Sequence, residues 1–212
     1  LVRGGTYLLT GVSNTGKTSI SMQILDQLQK QDEVLSIFHS SEMPMSQVKY
    51  FQRRMGLETG FLVDAQKQEV FDDQDAAIRE LFASIKDTEE TALDVRLMLQ
   101  FIELVKSNKD KTCVLVIDSL QSISNGRASA LDIAKRFKKL AEVLEAIVII
   151  IGQVTNGGVF VGYNELVHIV SAHIHIFRVA HHIVLPPSAD LEPGDQFTLI
   201  AQKGALSIQT RF

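Results

Sequence analysis

The chain has 212 residues, 45% of them hydrophobic and 22% charged, with a formal net charge of −4. That length accommodates one well-buried α/β domain, and the composition is that of an ordinary soluble globular protein. The charge excludes a protein coated in basic residues, although the sign of the total does not fix a local patch. Cys113, the single cysteine, can form no intrachain disulfide and supports no zinc site, which points to a reducing, cytoplasmic setting. No apolar stretch approaches the length of a membrane span and no secretory leader is present, so no membrane partner is expected. Leu1 stands where an initiator methionine would, as in a processed or excised piece of something longer.

Thr6 to Thr10 reads as a short buried strand, and it feeds Gly11-Val12-Ser13-Asn14-Thr15-Gly16-Lys17-Thr18. These eight residues fit G-x-x-x-x-G-K-[ST], the phosphate-binding loop of P-loop nucleotidases. Glycines let the backbone turn its N–H groups inward around a phosphate, where the start of the following helix adds partial positive charge. Lys17 is predicted to reach the β- and γ-phosphates of ATP, and the Thr18 hydroxyl to ligate Mg²⁺. From Thr18 onward the spacing of Ile20, Ile24, Leu25 and Leu28 predicts a helix.

A second apolar strand, Val34 to Phe38, ends at His39-Ser40-Ser41-Glu42. Ser46 is the expected N-cap of a helix carrying Val48, Phe51 and Met55, stopped by Gly56. Phe61 to Val63 reads as a short strand. The acidic segment Asp72 to Asp87 carries one amphipathic stripe, and a longer helix is predicted from about Thr91 to Val105. Cys113 to Ile117 is a continuous apolar run ending in Asp118, as expected of a central parallel strand covered on both faces. Ser119 to Ser129 reads as a polar loop and Ala130 to Leu144 as a helix with a basic side of Lys135, Arg136, Lys138 and Lys139, most simply a solvated face.

Ala146 to Ile151 is the next central strand, ending at Gly152-Gln153, and Thr155 to Asn164, with three glycines, reads as a mobile loop. Ile174–Phe177 and Ile183–Leu185 are further expected strands, and Phe197–Ala201 with Leu206–Thr210 form an expected hairpin around Lys203-Gly204. The whole predicts a single α/β domain: a mostly parallel central sheet flanked by helices, with a C-terminal antiparallel extension. His173 and His175 share a strand face without needing a metal, and no acidic or cysteine partner is near them in sequence.

Three side chains complete the expected chemistry. Asp118, closing a buried strand downstream of the phosphate loop, is expected to hold Mg²⁺ with Thr18. Glu42 should share the sheet edge where ligands of open α/β sheets gather, and is the candidate for polarising the attacking water; its alternative role is a helix-entry acid. Gln153, at the end of a fourth strand, is the candidate sensor of the γ-phosphate, passing the signal to the glycine-rich loop after it; its alternative role is a polar strand end.

Together these segments resemble the RadA/Sms family. The likeness rests on Leu1-Val2-x-Gly-Gly, the phosphate loop, Ser40-Ser41-Glu42, Gln47-Val48-Lys49 and Arg53 to Leu57. It also rests on Val116 to Ser122, Gly152 to Gly158, where Gln153 replaces that family's His, and Asn164 to Val170. The resemblance implies a RecA-like ATPase core forming a homo-oligomeric ring or filament on single-stranded DNA, in recombination or repair, with recombination or replication proteins as further partners. The family's zinc module, protease-like domain and K-N-R-F-G motif have no counterpart, and residues from about Lys67 to Glu90 are additional length. Lys203, near the place of that motif, is the candidate for a cation reaching the γ-phosphate of a neighbouring subunit, with Arg211 as the weaker candidate. The glycine-rich loop is the candidate DNA contact. A DnaB-type helicase core and a KaiC-like ATP-binding regulatory module are the alternative readings.

Overall fold

The computed structural model describes residues 1–57, 61–62, 76–83, 93–124, 130–153, 163–179, 196–201 and 207–210. Its strands are β1 (Thr6–Gly11), β2 (Val34–Ser40), β3 (Phe61–Leu62), β4 (Thr112–Asp118), β5 (Ile147–Gln153), β6 (Ala172–Val179), β7 (Gln196–Ala201) and β8 (Ser207–Thr210). They form one sheet in the order β3-β2-β4-β5-β1-β6-β7-β8, with β3 through β6 in that order parallel to one another. The helices are α1 (Lys17–Gln29), α2 (Met45–Met55), α3 (Ala76–Ala83), α4 (Leu93–Ser107), α5 (Leu120–Ile123), α6 (Ala130–Leu144) and α7 (Tyr163–Ile169).

The central strands are apolar on both faces because each face is covered by helices. Alternate residues divide cleanly between two cores. Leu8, Leu35, Ile37, Leu115, Ile117, Val148 and Ile150 pack against α4, α5, α6 and α7. Tyr7, Leu9, Phe38, Val114, Val116, Ile149 and Ile151 pack on the other face against α1 and α2, through Met22, Leu25 and Val48. Parallel pairing gives every one of these strands the same direction, so their carboxyl ends collect at one edge of the sheet. The register sets Gly11 opposite Gln153 and Ser40 opposite Asp118 at that edge.

Several expectations are corrected. Helix α2 starts one residue before Ser46, with Pro44 as its N-cap and no side-chain capping bond; proline's fixed φ and missing N–H suit a helix entrance without a hydroxyl. Its end at Gly56 is as expected, since that residue adopts φ 66° and its N–H returns to Gln52 and Arg53 carbonyls. The segment after Asp118 is not simply a polar loop: α5 buries Leu120 and Ile123 in the core. Asn164 lies in α7 rather than in the glycine-rich loop, and β6 begins at Ala172, two residues before the expected strand. Arg136 does not sit on a solvated face, because its Nη1 pairs with Asp94 Oδ2 at 2.9 Å and joins α6 to α4. The 155–162 stretch, the 183–185 strand, Lys203, Arg211 and most of the 67–90 segment lie outside the described residues. Among the described residues, no helix is long and apolar enough to cross a membrane.

Phe137 of α6 is fully buried in the core between helix and sheet. Phe137→Ala should therefore destabilise the fold by about 3–5 kcal/mol, the sum of lost transfer energy and cavity cost. Urea unfolding with an unchanged denaturant slope would measure it.

Candidate functional site

The loop between β1 and α1 is shaped by two residues in the left-handed region, Asn14 at φ 63° and Gly16 at φ 85°. Gly11 is constrained by space rather than by dihedral angle. A Cβ placed there would collide with the Ile176 carbonyl oxygen and lie 2.7 Å from Thr15 Oγ1, so β6 backs closely onto the loop. Thr15 Oγ1 donates to the Val12 carbonyl at 2.9 Å, closing the turn from within.

Helix α1 opens at Lys17 with no side-chain cap and no acid in its first turn. Helix starts commonly satisfy their free N–H groups with Ser, Thr, Asp or Asn side chains. Here, among the described residues, neither the cap residue nor an acid of the first turn supplies a side-chain acceptor to those donors at the positive end of the helix dipole, which fits a phosphate. Lys17 is 7% exposed, and its Nζ donates to the Gly11 and Val12 carbonyls at 2.9 and 2.8 Å. Burial lowers its pKa, while the charges of Asp118 and Glu42 act in the opposite sense. A triphosphate meeting this ammonium would supply the compensating charge that burial removes.

Thr18 Oγ1 donates to Asp118 Oδ2 at 2.6 Å, joining the start of α1 to the end of β4 across 100 residues of sequence. A hydroxyl and a carboxylate so close form a hard oxygen pair suited to Mg²⁺. Among the described residues, no group of three or more His, Cys, Asp or Glu side chains gathers to hold a metal by itself. Mg²⁺ here would take its remaining ligands from phosphate and water, and would neutralise charge on the transferred phosphoryl group.

Glu42 lies two residues beyond β2 and is exposed. It makes no cap for α2; its Oε1 accepts hydrogen bonds from Ser119 Oγ at 2.5 Å, Gln153 Nε2 at 2.7 Å and Ser122 Oγ at 3.3 Å. Gln153 Oε1 in turn accepts from Ser13 Oγ of the loop at 3.5 Å. The Gln153 main chain is held at both its polar groups by one side chain, its N–H donating to Gln121 Oε1 at 3.2 Å and its carbonyl accepting from Gln121 Nε2 at 3.1 Å. Lys17, Thr18, Glu42, Asp118 and Gln153 are thus brought to one sheet edge with the whole loop Gly11–Thr18, and Lys203 is outside the described residues.

Behind the loop, Thr10 Oγ1 is 2.7 Å from His173 Nε2 and 2.8 Å from His175 Nδ1. Burial first, and the Lys17 charge second, lower the pKa of His175. Sequence reasoning missed Thr10 as the partner of both histidines, because the parallel pairing of β1 with β6 leaves no local trace. It also missed Ser41, Gln121, Ser119 and Ser122; only the polar character of residues 119–124 beside Asp118 hinted at the last three.

A buried lysine followed by a half-buried threonine at an uncapped helix start, an acid ending β4 and a second acid just beyond β2 define a P-loop ATPase domain of RecA-like fold. The chain belongs to the KaiC ATPase family, whose model matches residues 1–182. Among solved structures it is similar to a KaiC-like protein from the hyperthermophilic archaeon Pyrococcus horikoshii OT3, with a TM-score of 0.61 at 17% identity, covering 98% of this chain and 82% of that one. At that identity the likeness concerns the fold alone. No curated protein sequence matches.

The Asp118 carboxyl has its pKa raised above 3.8, first by burial and further by the Glu42 charge, against the Thr18 hydrogen bond and Lys17. A carboxyl whose folded pKa exceeds its unfolded one costs stability once ionised: the fold loses stability as pH rises through the folded value. In nucleotide-free protein, Asp118→Asn should accordingly be more stable than the parent at pH 7. The difference should close as pH falls to about 4, where the unfolded carboxyl also protonates. Paired urea titrations across that range measure the gap; a constant gap would assign the effect to packing instead.

Proposed function

We propose that this chain hydrolyses Mg²⁺-ATP by in-line attack of a water on the γ-phosphate, with Glu42 as the group that orients and deprotonates that water. Lys17 and the loop hold the phosphates, Thr18 and Asp118 hold the metal, and Gln153 reads the γ-phosphate. The observation that carries this reading is the Glu42 carboxylate held beside the Lys17–Thr18–Asp118 cluster by Ser119 and Gln153 rather than capping a helix. Phosphoryl transfer asks mainly for positioning and charge stabilisation, and these side chains supply both.

The finer reading is a DNA-dependent ATPase of RecA/RadA type, working as a homo-oligomeric ring or filament on single-stranded DNA in recombination or repair. The RadA/Sms-like segments, which include the loop, Ser40-Ser41-Glu42 and Val116 to Ser122, support it. In the same reading β7 and β8 extend the sheet as an antiparallel pair. Lys17→Ala should abolish most nucleotide affinity or turnover. Glu42→Gln should keep nucleotide binding while turnover falls about 100-fold or more, the scale of a lost general base. Wild-type hydrolysis should rise with single-stranded DNA, whose affinity should weaken with salt. A rate indifferent to DNA would select the regulatory-module alternative, and directional duplex unwinding the helicase alternative.

The transition-state charge needs a further cation, and Lys203 of a neighbouring subunit is proposed to provide it, with Arg211 second. Such a finger is worth roughly 10³–10⁵ in rate. Mixing Lys203→Ala with Lys17→Ala subunits, each inactive alone, should restore part of the activity. No recovery in assemblies shown to contain both would remove Lys203 from the mechanism.

A further inference from the structure

We infer that Ser119 is a positioning residue for Glu42: its hydroxyl fixes Oε1, so that Oε2 is the oxygen presented to the attacking water. The inference rests on the hydrolytic reading above and adds a residue and an atom to it. Glu42 is exposed and sits in the turn after β2, where an unrestrained glutamate would sample many rotamers. Ser119 is the opposite case, with no solvent exposure and an extended backbone at φ −124°, ψ 165°. An immobile donor therefore meets a side chain that needs holding.

Proton counting makes Ser119 the principal donor. Each serine hydroxyl carries one proton. At 2.5 Å from Glu42 Oε1, the Ser119 proton is committed to the carboxylate, a length expected of a charge-assisted O–H···O⁻ bond. The Ser122 proton is then best placed on Ser119 Oγ at 3.1 Å, where it polarises the first bond, its 3.3 Å approach to Glu42 Oε1 being the longer of the two. With Gln153 Nε2 at 2.7 Å, Oε1 carries its full complement of donors. A saturated oxygen makes a poor proton acceptor, which leaves Oε2 for the base.

The main chain reinforces the same contact. Ser41 donates from its N–H to the Asp118 carbonyl at 2.7 Å, and its single hydroxyl proton is shared between the Asp118 and Ser119 carbonyls, 3.2 and 3.1 Å from Oγ. The residue before Glu42 is thus stitched to Ser119 itself, and the side-chain bond is the last stitch. Asp118 and Ser119 divide the work of one strand end: the first turns to Thr18 and the second to Glu42.

The test is steady-state ATPase and fluorescent-nucleotide binding on Ser119→Ala, Ser119→Thr, Glu42→Gln and the Ser119→Ala/Glu42→Gln double variant. Ser119→Ala should lower kcat roughly 10- to 100-fold, the scale of a lost hydrogen bond to a charged acceptor, with nucleotide affinity and thermal midpoint little changed. Ser119→Thr, which keeps the hydroxyl, should recover most of the rate. Placed on Glu42→Gln, Ser119→Ala should have no further effect, because a positioning residue loses its role with its client. Wild-type kcat in Ser119→Ala, a loss in affinity matching the loss in rate, or a full multiplicative loss in the double variant would each overturn the assignment while leaving Glu42 as base. Wild-type turnover in Glu42→Gln would overturn both, and is read from that variant alone.

Discussion

The hydrogen bond from Thr18 to Asp118 is the contact on which the rest of this molecule turns. It joins the half-buried first turn of α1 to the buried last residue of β4 at 2.6 Å. Neither would be placed without the sheet. Only when β1 and β4 run parallel, with β5 between them, do the phosphate loop and the acid emerge on the same edge. Two hydrophobic cores, one per face, fix that arrangement, and the polar edge is what they leave uncovered.

Electrostatics at the edge are arranged against the isolated protein. Burial works against the charge on Lys17 and on Asp118 alike, and each is the other's partial remedy. Stability is given up at this edge to keep an ammonium and a carboxylate poorly solvated, a pattern common where groups are set for a task. A magnesium–triphosphate complex would offer each what water has been prevented from giving.

Much of this was legible in the sequence, for identifiable reasons. The phosphate loop is a local motif with a local mechanism, and the strands on either side of it are continuous apolar runs. Asp118 could be read because it ends such a run. Elements whose identity depends on a distant partner were not legible. Four residues are too few for α5 to show a period, so its burial of Leu120 and Ile123 was hidden in a polar segment. Arg136 belongs to a basic stripe by spacing, and only the packing of α6 on α4 reveals Asp94 opposite it. Ser119 lies 77 residues from Glu42, and nothing local distinguishes its hydroxyl from that of any loop serine.

The pairing of Gln121 with Gln153 has a mechanical meaning. A strand normally frays at its last residue, since the final amide and carbonyl lack a neighbour on one side. Here a single carboxamide meets both groups and behaves as one more rung of the ladder. The Cα of Gln153 is thereby anchored while its side chain stays in contact with Ser13 on one hand and Glu42 on the other. Its Oε1 and Nε2 together bridge the phosphate loop and the turn after β2. A main chain fixed at its last rung thus carries the amide that ties two separate loops of this edge together.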